Sequence, residues 1–496
     1  MGVRLKKLDL MDEAAIEILD KDELVALAKI WRQRLFDYQG ILFRVKRRFF
    51  SPKSERSGGG DAAGAPPSAP SRARGKTTKL PSERYPDALV REDRIDFVGA
   101  QVCAVCGGTM ANSGMTEDSE YLDVGEKEYI VVEQRRHKHR CSRCHASIVT
   151  APAPPRVTPG GSYSDGLIVD AALSKYCDLI PMERYCEMAG RGGFPGLPPH
   201  SLIQASHRLA EFFQGTYDLI KQETLSTAVL LADETPHRML EGDAKTRWYL
   251  WGFSSVSACF FECHDTRSGD VSSEVLKLST CQVLVSDAYS GYKKSVRVAN
   301  KFRAEQGLAL IQTAYCNAHA RRQFSPGDDD APDDAKFMVD QYEEIYRLNG
   351  EAKALGEAEV PAKRAAMKPY FEAMKDEALQ KIGTYSSQSA MGGAYAYFLN
   401  YYEGLTLCLS NPAVPLDNNG SERLLRSHVV GRKTWYGTHS RRGAATAAVH
   451  FTVVESCKLN GVNPRAYYLD TVNRIHLKRE LLTPRQYKAR PTDNTE

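Results

Sequence analysis

Apolar residues near the start of the chain recur at alternating spacings of four and three. The seam consists of Leu24, Ala28, Trp31, Leu35, Tyr38, Leu42, Val45 and Phe49. Asp20 stands before it with Glu23 three residues later, which is the arrangement of a helix capping box. Residues 1–50 are therefore predicted to form an N-terminal helix, continuous over residues 21–49. This helix either packs on the protein's own core or pairs with a second copy as a coiled coil.

The stretch after this helix favours the second alternative. Much of residues 51–94 is rich in Ser, Gly, Pro and Ala, a composition typical of a flexible linker. A helix separated from the body by such a linker has little apolar surface of its own protein to pack against. We therefore expect a homo-oligomer formed through residues 21–49.

Residues 95–150 contain two C-x-x-C pairs, separated by a stretch that alternates like a β-hairpin. The cysteines are Cys103, Cys106, Cys141 and Cys144. Four thiolates on two such knuckles bind a structural Zn²⁺ tetrahedrally. A segment this small has too little core to fold unaided, so the metal would supply folding free energy. The spacing predicts a zinc ribbon-like domain, with two unrelated pairs of buried thiols as the alternative.

The pattern then predicts an α/β multidomain protein. Residues 163–226 have helical periodicity, and either a helix-turn-helix or a plain scaffold fits them. Residues 227–325 change to short apolar runs, which predict five strands with a helix before the fourth, an α/β order around a central sheet. Residues 328–410 become helical again and interrupt this unit as an insertion. Residues 411–475 then return to the sheet as helices.

Composition and cysteine usage limit the class of protein. A chain of 496 residues suits about three domains at roughly 150 residues each. Eight of the twelve cysteines lie outside the C-x-x-C pairs and are scattered singly, which favours a reducing compartment. The N-terminus lacks the apolar core of a signal peptide, and no run approaches the roughly 18 apolar residues of a membrane span. We expect a cytoplasmic protein with no membrane partner.

Three acidic residues occupy positions that suit metal-dependent phosphoryl chemistry. Asp233 and Asp287 each end an apolar run that predicts a buried strand, and Glu422 opens a predicted helix. Such carboxylates can hold Mg²⁺ (or Mn²⁺) ions roughly 3.5–4 Å apart, the arrangement that acts on phosphodiesters. Glu234 competes with Asp233, because neighbouring residues on a strand point to opposite faces and only one of the two can face the metal. Asp417 suits a helix cap better than a ligand role.

Cys316 and His319 form another pair of metal-ligating residue types, three positions apart. A zinc site takes three or four protein ligands, and the sequence offers no further partner for this pair. A core or supporting role for His319 is therefore the favoured interpretation.

Positive charge is concentrated after the third acid. Residues 417–466 contain eight Lys or Arg against three acids, which suits a polyanionic partner such as DNA. The DNA-binding candidates there are Arg423, Arg426, Arg432, Lys433, Arg441 and Arg442. The hairpin before the second C-x-x-C pair adds Arg135, Arg136, Lys138 and Arg140, for which a solvated charged surface is the alternative.

Five segments resemble the insertion sequence 66 family of bacterial transposases. In chain order they are LLADETPHRML, LVSDAYSGYKK, YCNAHARRQF, LDNNGSERLLRSHVVGRKTWYG and ESCKLNGVNPRAYYLD. Upstream segments, including FFSPKSERS and the cysteine-rich region, are similar as well, so the resemblance covers nearly the whole chain. The chain departs from the family pattern at Asn317, where Trp is usual, and at Tyr436, where a bulky apolar residue is usual.

The resemblance implies a DDE transposase with an RNase H-like catalytic core. That core would be residues 227–325 and 411–475, with the helical insertion 328–410 between its parts. The catalytic triad would be Asp233, Asp287 and Glu422, holding catalytic Mg²⁺ (or Mn²⁺).

The implied activity is cleavage of the ends of an insertion sequence and strand transfer into target DNA. The implied partners are the element's terminal repeats, target DNA and small element-encoded accessory proteins, and the implied location is the nucleoid. Two alternatives stay open: a stand-alone metal-dependent nuclease, and a catalytically inactive DNA-binding regulator.

The zinc prediction is testable by metal analysis of the full-length protein purified without chelator. Cys103→Ser combined with Cys141→Ser should remove one zinc per chain, because each knuckle then lacks a thiolate. Residues 95–150 of the double variant should also be cleaved more readily by proteases, since the metal supplies folding free energy. Cys177→Ser, outside both pairs, is the matched control. An unchanged zinc content in the double variant would contradict the ribbon.

Overall fold

A computed structural model describes most of the chain beyond residue 148. The described residues are 20–26, 28–29, 31–32, 101–102, 109–110, 129–140, 142, 148–240, 247–325 and 331–490. The four cysteines of the predicted ribbon, the predicted linker and the seam from Leu35 onward lie outside them. Residues 52–131 form a unit separate from the rest of the chain.

The N-terminal helical stretch begins at the predicted cap. Oδ1 of Asp20 accepts the N–H of Glu23 at 2.8 Å, and the N–H of Asp20 points to Oε2 of Glu23 at 3.4 Å. This reciprocal arrangement confirms the predicted capping box. Two residues of the seam, Leu24 and Trp31, are 42% and 48% exposed. An apolar surface therefore remains in contact with solvent in the single chain.

Two short antiparallel strand pairs flank the C-x-x-C motifs. Gln101–Val102 pairs with Thr109–Met110, and Lys138–Arg140 pairs with Ile148–Thr150. Each pair brackets one motif in sequence.

Four helices precede the central sheet. They are α1 (Asp165–Tyr176), α2 (Met182–Arg191), α3 (Pro199–Phe212) and α4 (Gln214–Leu225). Residues 199–225 read as one continuous helix in the sequence, but the structure divides them into α3 and α4. The helix breaks at Phe213, whose fully buried ring packs in the core and is followed by the weak helix former Gly215. Core packing therefore overrides the helical periodicity at this point.

Five strands form the central sheet. They are β1 (Val229–Arg238), β2 (Arg247–Ser254), β3 (Cys259–His264), β4 (Val283–Ser286) and β5 (Gln312–Tyr315). Their order is β3-β2-β1-β4-β5. The first three pair antiparallel, whereas β4 runs parallel to β1 and β5 runs parallel to β4. The five predicted strands, and the helix predicted before the fourth, are confirmed.

Helices connect and follow these strands. The connections are α5 (Gly269–Leu278) before β4, α6 (Ser290–Glu305) between β4 and β5, and α7 (Asn317–Phe324) after β5. Three long helices come next, α8 (Pro332–Leu355), α9 (Val360–Lys381) and α10 (Ala390–Ser410), with 3₁₀ turns at Glu357–Glu359 and Ile382–Thr384. The chain continues as α11 (Asn419–Trp435), α12 (Arg441–Leu459), α13 (Pro464–His476) and α14 (Pro484–Lys488). Among the described helices, none combines the length and apolar character that a bilayer crossing requires.

The sheet separates two apolar cores, because successive side chains on a strand point to opposite faces. Leu230, Ala232 and Leu284 face a core shared with α1, α3, α4, α12 and α13. Val283 and Val285 face a second core, shared with α7, α8, α9 and α10. Each large apolar side chain fully buried in these cores stabilises the fold by roughly 1.5–3 kcal/mol. The sheet is thus fixed by helices on both sides.

Helix α12 also covers the outer edge of the sheet. The hydroxyl of Thr452 accepts the N–H of Phe261 at 3.0 Å. The hydroxyl of Ser456 accepts the N–H of Cys259 at 3.1 Å and donates to its carbonyl at 3.0 Å. These side chains satisfy backbone groups of β3 that a neighbouring strand would otherwise pair.

Gly404 and Gly393 form a matched pair of sites on α10. A Cβ at Gly404 would lie 2.4 Å from the Tyr315 ring and 2.9 Å from the Thr313 carbonyl, both on β5. Gly404→Ala should therefore cost about 1–3 kcal/mol by overpacking. Gly393 is exposed with nothing within 4 Å, so Gly393→Ala should stabilise the helix by about 0.5–1 kcal/mol. Urea unfolding measures both changes in the free energy of unfolding. An equal loss of stability in the two variants would contradict the packing of α10 on β5.

Candidate functional site

The parallel pairing of β1 with β4 brings Asp233 and Asp287 together. Leu231 pairs with Val285 in register. Two residues further along each segment lie Asp233, within β1, and Asp287, directly after β4. Because side chains two residues apart share a face, this register places both carboxylates at the same level on one face of the sheet. Oδ1 of Asp287 also accepts the N–H of Tyr289 at 3.0 Å, which shapes the turn into α6.

Asn418 fixes the position of Glu422, which lies in the first turn of α11. The side-chain amide of Asn418 donates to the carbonyl of Ala232 at 3.0 Å, directly before Asp233. The carbonyl of Asn418 accepts the N–H of Glu422 at 3.1 Å. Oδ1 of Asp417 accepts the N–H of Asn419 at 3.1 Å, the capping role expected of it. The helix start that carries the third acid is thus bonded to the strand that carries the first.

The electrostatics agree with this clustering. Burial raises the pKa of Asp233 well above its usual value, and the carboxylates of Glu234, Asp287 and Glu422 raise it further. Asp287 and Glu422 are remote from Asp233 in sequence, so their effect on its pKa requires them to be close in space. Asp287 and Glu422 thus lie near enough to Asp233 to influence its carboxylate.

Glu234 faces away from this cluster, as the alternation along β1 predicts. Its carboxylate accepts hydrogen bonds from Nε of Arg267 at 2.7 Å and from the hydroxyl of Tyr292, and only 2% of its side chain is exposed. Burial raises the pKa of Glu234, although these two donors oppose the shift. With its oxygens already engaged, Glu234 is not available as a ligand on the face of Asp233.

Two side chains of α7 lie beside the Glu422 carboxylate. Nδ1 of His319 lies 3.6 Å from Oε1, and a guanidinium nitrogen of Arg322 lies 3.5 Å from Oε2. Sγ of the buried Cys316 accepts the N–H of Asn418 at 3.2 Å. The ligand atoms of Cys316, His319 and Glu422 all lie within 4.8 Å of one another. The expectation that the Cys316–His319 pair has no further partner is therefore wrong, because Glu422 is beside it.

The comparison with known families agrees with this arrangement. The family described as "Transposase IS66 family" matches residues 160–446, more than half of the chain, and the match includes all three acids. The chain belongs to the IS66 family of transposases. Membership indicates an enzyme that cuts DNA, with DNA as its partner and a divalent metal requirement.

Curated relatives of this transposase come from Sinorhizobium fredii (strain NBRC 101917 / NGR234). The uncharacterized protein y4hP is 27% identical over 439 residues, covering 84% of this chain and 78% of the relative. The uncharacterized protein y4jD is 26% identical over 409 residues, covering 79% and 78%. The uncharacterized protein y4qI is 27% identical over 420 residues, covering 81% and 76%. The similarity thus extends well beyond the matched family region.

A buried histidine pair joins α11 to the end of β1 in this transposase. Nδ1 of His237 lies 3.1 Å from Nε2 of His428, and Nε2 of His237 lies 2.7 Å from the hydroxyl of Thr438. Burial lowers the pKa of His237 to about 4, and the charge of Arg432 lowers it further. Burial also lowers the pKa of His428. Both rings are therefore neutral near pH 7 and hold the Glu422 helix against the sheet by a hydrogen bond.

The basic residues predicted on α11 and α12 differ in their surroundings. Arg423, Arg426 and Lys433 are exposed and have no ion-pair partner in the part of the chain that the structure describes. Arg432 is half-buried beside the histidine pair. The guanidinium of Arg441 lies 5.3 Å from the centre of the Trp248 ring. Arg442 is bound to α3 through Glu211 at 2.8 Å and Gln204 at 3.0 Å.

The basic hairpin residues are described only in part. Arg135 pairs with Glu133 at 3.1 Å, and Arg136 donates to the carbonyl of Ala151 at 3.2 Å. Lys138 is exposed. The side chain of Arg140 lies outside the described residues.

The two departures from the family pattern do not involve the acids. Asn317 is buried, its amide donates to the carbonyls of Leu405 and Leu416, and its Oδ1 accepts from the Tyr342 hydroxyl. It therefore bonds α7 to the helical insertion. Tyr436 is the C-cap of α11, with φ of 65° in the left-handed region, and is 72% exposed.

Sequence reasoning missed two features of the site, Arg322 beside Glu422 and the pairing of His237 with His428. The signal for the first was present, because Cys316, His319 and Arg322 are spaced by three and lie along one side of a helix. The acid that they meet lies about a hundred residues later, which no local pattern shows.

The histidine pair predicts a dependence of stability on pH. A folded-state pKa below the unfolded value of about 6.5 means that the unfolded state binds protons first as pH falls. Stability should therefore be fully present above pH 6.5 and decline toward pH 4, by about 3 kcal/mol for a pKa lowered to about 4 at His237. Urea unfolding of His237→Gln should show a shallower decline over this range than the wild type. The exposed His439→Gln is the control, and equal slopes in all three proteins would refute the assignment.

Proposed function

We propose that the chain is a DDE transposase with an RNase H-like catalytic core, formed by residues 227–325 and 411–475. The helical domain 163–226 packs on one side of its sheet, and the helical insertion 328–410 packs on the other. The observation that carries the proposal is the clustering of Asp233 with Asp287 and Glu422 through the β1–β4 register and the Asn418 bond to Ala232.

The residues at the cluster fit a divalent cation. Burial and neighbouring carboxylates raise the pKa of Asp233 well above its usual value, so the ionised cluster is destabilised by itself. Oε1 of Glu422 is buried and has no hydrogen-bond partner among the described residues. Asp233, Asp287 and Glu422 would hold Mg²⁺ or Mn²⁺, which when bound activates the attacking oxygen and neutralises charge on the phosphate.

The protein's own contribution is to position DNA at these acids. Arg423, Arg426 and Lys433 form an exposed basic side of α11 that begins one residue after Glu422. Such residues contact phosphates and fix the register of the duplex without reading its sequence. Water would be the attacking group when the element's ends are cut, and the released 3′-hydroxyl would attack target DNA in strand transfer.

Further parts of the chain support assembly on DNA. The exposed seam residues Leu24 and Trp31 support self-association through residues 21–49, which would hold two element ends in one complex. The spacing of the two C-x-x-C pairs supports a zinc ribbon-like domain over residues 95–150. Its hairpin residues Arg135, Arg136, Lys138 and Arg140 would add contacts to DNA, and residues 51–94 would act as the linker. Small accessory proteins encoded by the element would be further partners.

The triad is tested with labelled DNA ends of the insertion sequence, Mg²⁺ and a target plasmid. Asp233→Asn, Asp287→Asn and Glu422→Gln should each reduce cleavage and joining by at least about 100-fold, since loss of a metal ligand exceeds the 10–100-fold effect of outer-shell changes. DNA binding in gel shifts should be largely retained, because it rests on Lys and Arg contacts.

Asp417→Asn is the matched control, since this neighbouring acid caps α11 and should keep most activity. Loss of activity in Asp417→Asn with full activity in Glu422→Gln would contradict the choice of third acid. Joined products support a transposase, whereas nicks without joining support the stand-alone nuclease. Shifted but uncut DNA in the wild type supports the DNA-binding regulator.

A further inference from the structure

Glu422 belongs to two groups of side chains. One of its groups is the acidic cluster on the sheet. The other consists of Cys316 and His319 at the start of α7, whose ligand atoms lie within 4.8 Å of each other and of a Glu422 oxygen. The separation of 3.6 Å between His319 Nδ1 and Glu422 Oε1 is close to that of two ligands on a tetrahedral zinc, about 3.3–3.5 Å for bond lengths of about 2.0–2.2 Å.

Two polar atoms at this place have unmet bonding capacity. His319 Nδ1 and Glu422 Oε1 are both buried and have no hydrogen-bond partner among the described residues. Buried polar atoms are nearly always paired, and an unpaired one costs about 1–3 kcal/mol. Two such atoms, 3.6 Å apart beside one thiol, are more readily explained by a shared ligand than by separate packing defects.

The chemistry of the donors selects the kind of ligand. Thiolate and imidazole favour Zn²⁺ and similar cations, whereas Mg²⁺ prefers oxygen ligands alone. Three protein ligands with an open fourth position are a common zinc coordination set. Burial raises the pKa of the Cys316 thiol to about 11, so cation binding must release its proton.

We propose that Cys316, His319 and Glu422 form a binding site for a thiophilic divalent cation such as Zn²⁺, and that this cation competes with the catalytic metal site for Glu422. A carboxylate held through Oε1 by such a cation is drawn toward α7 and away from Asp233 and Asp287. Zinc at this site is therefore an inhibitor of Mg²⁺-dependent DNA cleavage. The competition rests on the proposed role of Glu422 as the third acid, whereas the binding site does not.

Arg322 does not replace the cation in this arrangement. Its guanidinium lies near Oε2, the other oxygen of Glu422, at 3.5 Å. Oε1 remains directed toward His319. The carboxylate can therefore stay beside Arg322 while Oε1 binds the cation.

The experiment uses the full-length protein and Co²⁺ as a spectroscopic substitute for Zn²⁺. Binding of Co²⁺ to Cys316 should give a thiolate-to-metal charge-transfer band. Cys316→Ser should abolish the part of this band that arises from Cys316. The serine hydroxyl can still accept the N–H of Asn418. His319→Gln should weaken Co²⁺ binding at least about tenfold, since a lost ligand costs no less than an outer-shell change. Adding Mg²⁺ should raise the Co²⁺ concentration at half-maximal binding in the wild type, because both cations require Glu422.

Cys408→Ser is the matched control, since Cys408 is also buried and free but lies in α10, where its thiol donates to the Leu405 carbonyl at 3.6 Å. The charge-transfer band of Cys408→Ser should have the same intensity as that of the wild type. A band of full intensity in both Cys316→Ser and His319→Gln would overturn the site. A Co²⁺ midpoint independent of Mg²⁺ would overturn the sharing of Glu422.

The activity readout separates this inference from the proposed function. Each variant is assayed for Mg²⁺-dependent DNA cleavage with and without Zn²⁺. The ratio of these two cleavage rates is then compared among the variants. Zinc should inhibit the wild type and Cys408→Ser, and inhibit His319→Gln at least about tenfold less effectively. Absence of cleavage in every protein, with the Cys316-dependent band intact, would reject the transposase activity alone. Cleavage without that band would reject the cation site alone.

Discussion

The bonds made by Asn418 hold together three segments that are far apart in the chain. Its side-chain amide donates to the carbonyl of Ala232 on β1, its backbone N–H donates to Sγ of Cys316, and its carbonyl accepts from Glu422. The helical insertion separates Asn418 from the sheet strands in sequence. These bonds fix the start of α11 relative to Asp233. The positions of Glu422 and of the Cys316 group are therefore linked through one buried amide.

Placing three carboxylates together opposes folding, since their mutual repulsion and burial raise the pKa of Asp233. The fold remains stable despite this unfavourable electrostatic free energy, because packing on both faces of the sheet supports the cluster. Apolar cores lie on the two faces of the sheet, and the His237–His428 bond holds α11 in place. Strain of this kind is typical of a functional site that is stabilised by its surroundings.

Much of the fold could be predicted because the central sheet has a strong local signal. The short apolar runs before Asp233 and Asp287 are sufficient to predict buried strands. Asp287 does follow the end of β4, whereas β1 continues past Asp233 to Arg238. The break at Phe213 could not be predicted, since it depends on core packing. The meeting of Cys316 and His319 with Glu422 also could not be predicted, because it results from how a helical insertion returns the chain to the sheet. Local patterns specify elements, and long-range hydrogen bonds specify which of them meet.

The hydroxyls of Thr452 and Ser456 have a consequence for assembly. They accept hydrogen bonds from the outward backbone N–H groups of Phe261 and Cys259. A strand of another chain therefore cannot pair with β3 through these groups. Two copies of the chain cannot merge their sheets by strand addition at this border. Contacts between copies at this border must then be made by side chains of α12, which can separate without breaking the hydrogen bonds of the sheet.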